Sequence, residues 1–176
     1  KFYTAHDKYT RLPEFSARHG SKKNLEKMAK DFCTVYNNAW ASHEGNKQMT
    51  MPQAMKMFQT MKPIMDERLI WFAYYNEEPI AMYISLPDLN QAFRFLHGKF
   101  DTLAKLKFVF HKWRGVITKM AGIVFGVVPA YQGAGIDYFM IVESAKIIQH
   151  KTNYLHTELQ WQGDFNPKMN NISKNL

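Results

Sequence analysis

Cysteine is almost absent from this chain: Cys33 stands alone among 176 residues. A single thiol excludes an internal disulfide and fits a reducing compartment. Cys33 falls mid-helix among apolar residues, where a buried, inert thiol is the ordinary role. The sequence also lacks His-Glu-x-x-His, Cys-x-x-Cys and Gly-x-Ser-x-Gly, so neither a metal site nor an activated serine is signalled. No apolar run approaches the length that spans a bilayer, and no signal-peptide pattern opens the chain at Lys1. The expected location is the cytoplasm. Acids are scarce as well: 15 Asp and Glu stand against 23 Lys and Arg, a net charge of +8.

What is present fits one domain over residues 1–176 with a real core: 46% of the residues are apolar and 15% aromatic. The positive charge is uneven. Arg94, Lys99, Lys105, Lys107, Lys112, Arg114 and Lys119 face only Asp101 in their stretch, which holds six of the eight net charges. Such a field draws polyanions: a phosphorylated cofactor, nucleic acid or an anionic surface. The alternative is a solvated helical face. Trp40, Trp71, Trp113 and Trp161 are expected in the core.

Residues 1–13 read as irregular, and a short strand is placed near Glu14–Arg18. Ser21 is the expected cap of a helix whose stripe is Leu25, Met28, Phe32, Tyr36 and Trp40. Pro52 opens a second helix running to about Met65. Leu69–Tyr75 and Ile80–Leu86 form a β-hairpin around Asn76-Glu77-Glu78-Pro79. Residues 89–121 are a basic, aromatic and partly helical insertion, broken at Gly98. Ile123–Val128 is a buried strand, Asp137–Gln149 a helix and Tyr154–Trp161 a strand. Pro167 lies just inside a last helix. The strand–helix–strand unit predicts at least one parallel pair in a mixed α/β sheet.

Residues 122–137 carry the most chemistry. An apolar strand enters a glycine-bearing loop that opens a helix. Glycines allow tight turns and close approach of a ligand to the backbone. The first-turn N–H groups and the helix dipole favour an anion there, such as a phosphate or diphosphate. The loop has neither the Gly-Lys-Ser/Thr of a P-loop nor the glycine spacing of a dinucleotide turn.

The loop resembles the acyl-CoA loop of the GNAT acetyltransferases, Gln/Arg-x-x-Gly-x-Gly/Ala. Gln132 takes its first position and Gly135 its fourth, and Val127, Val128, Pro129 and Tyr131 also match. Asp137 departs from the pattern at the sixth. The segments Asn37-Asn38-Ala39-Trp40, Leu86-Pro87-Asp88-Leu89-Asn90, Glu158-Leu159-Gln160-Trp161 and Asp164-Phe165-Asn166-Pro167 extend the resemblance over roughly residues 14–176, towards an uncharacterised bacterial branch. It implies a GNAT-like mixed central sheet flanked by helices, with a helical insertion before the acyl-CoA-loop strand. Family domains usually add two strands after the last helix. This sequence ends at Leu176, and an uncovered sheet edge would favour pairing with a second copy.

The resemblance implies an N-acyltransferase that uses acetyl-CoA as co-substrate, attacked directly by an amine acceptor. A backbone N–H of the central strand would polarise the thioester carbonyl. Val127 and Val128 would lie along the pantetheine arm. The amides of Gln132, Gly133, Ala134, Gly135, Ile136 and Asp137 would take the diphosphate, and Asn166 would sit by the pantetheine or cap its helix. Asp137 would repel the diphosphate if it turned inward. Glu158 is the first candidate for general base, Asp88 the second and His156 the third. Ser173 stands where the family often places a proton-donating tyrosine. A non-catalytic GNAT-like domain, for CoA binding or protein contact, is the competing reading. Nucleic-acid binding through 94–119 would use interleaved aromatic and basic residues, but no recognised motif accompanies them.

Overall fold

A computed structural model describes residues 2–40, 47–98 and 101–159, with 170 and 174. The elements run α1 (Phe2–Thr10), β1 (Phe15–His19), α2 (Leu25–Ala39), α3 (Met51–Met61), β2 (Ile70–Tyr75), β3 (Glu78–Pro87), α4 (Asn90–Phe93), α5 (Thr102–Trp113), β4 (Lys119–Val127), α6 (Ile136–Lys151) and β5 (His156–Leu159). The sheet order is β1-β2-β3-β4-β5. Pairing is antiparallel from β1 to β4 and parallel between β4 and β5. This is the mixed α/β sheet the sequence predicts, with helices on both faces.

Both faces of β2 and β3 are covered, which is why they read as continuous apolar runs rather than alternating ones. On one face, Phe72, Met82 and Ile84 pack with Met28, Phe32 and Val35 of α2 and Phe58 of α3. On the other, Trp71, Ala81 and Tyr83 pack with Tyr9 of α1 and with Ile136, Phe139 and Met140 of α6. Burial of these side chains stabilises the fold by roughly 1.5–3 kcal/mol for each large residue.

Three expectations change. Residues Phe2–Thr10 are helical, not irregular. Phe2, Ala5, His6 and Tyr9 share the inward face, and the polar His6 hides the stripe in the sequence. His6 Nε2 meets Glu143 Oε1 at 2.6 Å, and Lys146 Nζ reaches the same ring nitrogen at 2.8 Å, so helix formation rests on a partner 137 residues away. Asn24, rather than Ser21, caps α2, accepting from the Lys27 amide at 3.1 Å. Trp113 is exposed, whereas Trp71 is buried as expected. Trp40 is half-buried, and Trp161 lies outside the described residues.

The 89–121 insertion resolves into α4, a 3-10 turn over Arg94–Leu96, α5 and the start of β4. Asp101 caps α5 by accepting from the Ala104 amide at 2.8 Å. The insertion leads into β4 through Gln91, whose Oε1 accepts the amides of Thr118 and Lys119 at 2.9 and 2.8 Å.

Candidate acyl-donor loop and acceptor end

The loop after β4 is a 3-10 turn, Pro129–Tyr131, followed by two left-handed glycines, Gly133 at φ 75° and Gly135 at φ 89°. Those angles are open to glycine and strained for other residues. Gly133 faces open space, where nothing lies within 4 Å of a would-be Cβ. At Gly135 a Cβ would stand 3.1 Å from the Ala5 Cβ of α1, so this glycine also allows helix α1 to approach. The Gln132 amide side chain folds back and donates to the Val127 carbonyl at 3.0 Å, which closes the loop. The Tyr9 hydroxyl donates to the Ala134 carbonyl at 2.8 Å. Gln132, Gly133 and Ala134 are exposed.

Gly135 caps α6, so the first-turn amides have no acceptor inside the helix. Asp137 turns toward them. Burial pushes its carboxyl above the ordinary carboxylate value, and the backbone N–H groups of Tyr138 and Asp137 pull part of that back. Asp137 thus brings a carboxyl into the first turn of α6, beside the amides that an anionic ligand would use. Gly133 and Ala134 are exposed, and the dipole of α6 favours negative charge beside them.

Midway along β4 the ladder with β3 slips. Ile84 pairs with Val124 and Ser85 with Gly122, which leaves Ile123 without a partner on β3. A bulge of this kind frees backbone groups and bends the strand. Three residues nearer the loop, Gly126 lies under the Trp40 ring. A Cβ there would meet Trp40 Cη2 at 2.6 Å, so glycine is what lets the indole rest on the strand. Trp40 itself stacks on Tyr36 at 5.1 Å.

The candidate bases gather at the other end of β4. Pro87 pairs with Met120, and the Asp88 amide donates to the Lys119 carbonyl at 2.9 Å. On the opposite side His156 pairs with Lys119 and Glu158 with Ala121. Asp88 and Glu158 therefore flank β4 from its two neighbouring strands, about 10 Å apart at the usual strand spacing. Asp88 is half-buried and accepts from the Asn90 amide at 3.1 Å, while His156 and Glu158 are exposed. Along the strand this end is about 20 Å from the glycine loop at ~3.3 Å per residue. An extended pantetheine arm spans a gap of that order. Ser173 and Asn166 lie outside the described residues.

A cleft of about 360 Å³ opens at this same end, lined by Asp66, Arg68, Pro87, Lys112, Ile117 and Tyr154 among others. Asp66 is held by Arg68, with Nη2–Oδ2 at 2.5 Å, and accepts from the Tyr154 hydroxyl at 3.3 Å. Burial works against the Asp66 carboxylate, but Arg68 outweighs it and keeps Asp66 below its ordinary value. The described residues contain no cluster of His, Cys, Asp or Glu suited to a metal ion.

Sequence reasoning missed Tyr9 and the role of Trp40, because both act through distant partners. Glycines at 126 and 135 were visible, but the side chains they admit were not.

No family model matches the sequence. A bacterial ceramide synthase of Caulobacter vibrioides is 26% identical over 148 residues, which cover 81% of this chain and 38% of that protein. The chain therefore spans well under half of this curated relative. Among solved structures, a GNAT family acetyltransferase of Staphylococcus aureus superposes with a TM-score of 0.53 at 9% identity, over 85% of this chain and 88% of that one. An aminoglycoside N-acetyltransferase in complex with CoA gives a TM-score of 0.52 at 10% identity, over 92% of this chain and 85% of that one. The chain has the fold of the GNAT acetyltransferases.

Proposed function

We propose that this chain is an acyl-CoA-dependent N-acyltransferase of the GNAT superfamily. The observation that carries the reading is the strand–loop–helix element at Val127–Asp137, with its left-handed glycines 133 and 135 and its open helix N-terminus. A solved enzyme of the same fold carries CoA. The donor would lay its diphosphate on the backbone from Gly133 to Ile136 and its pantetheine along β4. The thioester would then reach the bulge at Ile123, where a backbone N–H of β4 would polarise its carbonyl.

The acceptor amine attacks the thioester carbon. The C–N bond forms, the C–S bond breaks, and CoA leaves as the thiolate, which takes up a proton from solvent. A base removes the amine's proton, and the fold offers Glu158 and Asp88 at the acceptor end of β4. Acetyl-CoA satisfies the loop chemistry. The ceramide synthase relative extends the proposal to longer acyl chains, because a ceramide is an N-acylated long-chain amino alcohol.

Calorimetric titration with acetyl-, octanoyl- and palmitoyl-CoA tests the donor site, and thiol release with long-chain amines tests the chemistry. Binding plus amine-dependent thiol release is expected. Binding without release, for every amine tried, would favour the competing reading of a CoA-binding domain without catalysis. That reading draws on Asp137, whose carboxyl stands in the first turn of α6, where it would repel a diphosphate. Absence of all binding would overturn both.

A further inference from the structure

The exposed apolar surface of this protein is concentrated on one helix. Among the described residues, Leu103, Leu106, Val109, Phe110 and Trp113 are large hydrophobics of α5 that face solvent, each at least 49% exposed, with Trp113 at 81%. At ~100° per residue these five fall in a single arc about 120° wide. Lys107 and Arg114 border one edge of that arc, and Lys105 and Lys112 the other. The opposite face holds the helix to the body. Ala104 is buried, Phe108 packs on Phe93 at 5.3 Å and His111 stacks on Phe95 at 4.1 Å. The outward apolar stripe is therefore the face left over after α5 has docked, and the helix does not need to unfold to present it.

We infer that α5 is an interfacial helix that seats the protein on an anionic lipid surface. An apolar stripe with aliphatic and tryptophan side chains, bordered by Lys and Arg on both edges, fits the boundary between acyl chains and acidic headgroups. The stretch from Arg94 to Lys119 carries seven cations against one acid, which supplies the charge complementarity. A second copy fits the face poorly, because pairing would set cationic edge against cationic edge. Nucleic acid also fits poorly. Leu103, Leu106 and Val109 offer no stacking face, and Arg114 already lies over the Phe110 ring at 5.6 Å.

The placement matters for chemistry. Lys112 donates to the Pro63 carbonyl at 3.1 Å and lines the cleft at the acceptor end of β4. A helix lying in a headgroup layer would bring that cleft to the membrane surface. On the N-acyltransferase reading, on which this step rests, the acceptor is then an amine that resides in the bilayer and is taken from it, not from solution.

Flotation of the whole chain with vesicles tests the inference. The probes are vesicles of phosphatidylcholine alone and vesicles of phosphatidylcholine with phosphatidylglycerol. Wild type should float with the anionic vesicles and far less with the neutral ones, and salt should weaken it. Leu106→Ser with Trp113→Ser should lower vesicle affinity by about tenfold or more, since it removes two apolar anchors. The same variant should keep its circular dichroism and its acyl-CoA titration. Lys105→Glu with Lys107→Glu should abolish the preference for anionic lipid while leaving the fold intact.

Failure of the wild type to float on anionic vesicles would overturn the inference, as would flotation that neither double variant reduces. A dimer that Leu106→Ser with Trp113→Ser converts to monomer would assign the face to a second copy and also overturn it. Tighter binding to single-stranded DNA than to anionic vesicles would do the same. Flotation without any acyl-CoA titration would leave the inference standing and sink the enzymatic reading. Titration without flotation would do the reverse.

Discussion

The Tyr9 hydroxyl donates to the Ala134 carbonyl at 2.8 Å, across 125 residues of sequence, and so ties α1 to the glycine loop. The bond fixes one peptide of a loop whose two glycines would otherwise leave it many conformations. Tyr9→Phe keeps the ring contacts with Phe15 and Phe139 and removes only the bond. The expected outcome is a stability loss of about 1 kcal/mol. Hydrogen exchange in the 132–136 loop should accelerate and acyl-CoA affinity should fall severalfold, with the core amides unchanged. Exchange that stays at the wild-type rate would mean that the loop holds its shape without α1.

Asp31 is buried beneath the sheet and held by two groups. Tyr74 donates its hydroxyl at 2.6 Å, and Lys27 approaches at 2.9 Å from one helical turn away. Burial, then the neighbouring Asp31, push the Tyr74 phenol well above its ordinary value, so it stays a donor at any working pH. Tyr74→Phe leaves a buried carboxylate short of a partner. The cost should be about 1–3 kcal/mol, read as a drop in Tm of several degrees for a chain of this size. Tyr74→Phe combined with Asp31→Asn should cost less than the two single changes added together.

Stability should depend on pH through carboxyls of opposite sign, of which Glu143 and Asp137 make the contrast. Burial opposes the Glu143 carboxylate, but Lys146 and His6 hold it below its ordinary value of 4.5. Its contribution is therefore present above that value and lost as pH falls through the lower folded value. Asp137 runs the other way. Burial raises it above 3.8, so its contribution is present below that value and lost as pH rises through the folded one. Urea midpoints between pH 3 and 7 should fall less steeply on the acid side for Glu143→Gln than for wild type. Asp137→Asn should be the more stable protein at neutral pH.

The parts legible in the sequence were those whose cause is local. The β-branched and aromatic runs over β2 and β3 announced a hairpin, and the glycine-bearing loop announced a tight turn that opens α6. The parts that were not legible depend on register. Nothing near Asp88 says that it will meet the start of β4, and nothing near Glu158 says that it will pair with Ala121. Both follow from how three strands align. Helix α1 escaped because its face includes His6, which is buried through Glu143 and Lys146 and not through apolarity. Trp113 was misplaced because an apolar stripe at helical spacing looks the same whether it faces the core or a partner outside the chain.

The acceptor-end carboxylates make separable predictions. If Glu158 takes the amine's proton, Glu158→Gln should lower kcat by about 100-fold or more and leave the affinity for acyl-CoA unchanged. The remaining rate should rise with pH as more of the amine is already neutral. Asp88→Asn should act differently, because Asp88 also accepts from the Asn90 amide and shapes the turn after β3. A modest kcat loss with a small Tm loss is expected there. Equal kcat losses for both would point to a shared structural role, and an unaffected Glu158→Gln enzyme would remove Glu158 from the mechanism.

Asp137 gives the sharpest test of the donor site. Its carboxyl stands in the first turn of α6 and brings negative charge toward where a diphosphate would lie. Asp137→Ala removes the repulsion. Burial already disfavours the ionised carboxyl, so affinity should rise without a loss of stability at neutral pH. Acyl-CoA affinity should rise about tenfold, which is about 1.4 kcal/mol, and the gain should shrink as salt screens the removed charge. CoA and acyl-CoA should gain equally, because both carry the same diphosphate. A variant that binds no more tightly than wild type would mean that the anion does not sit on this helix, and the donor would then have to be placed elsewhere on the sheet.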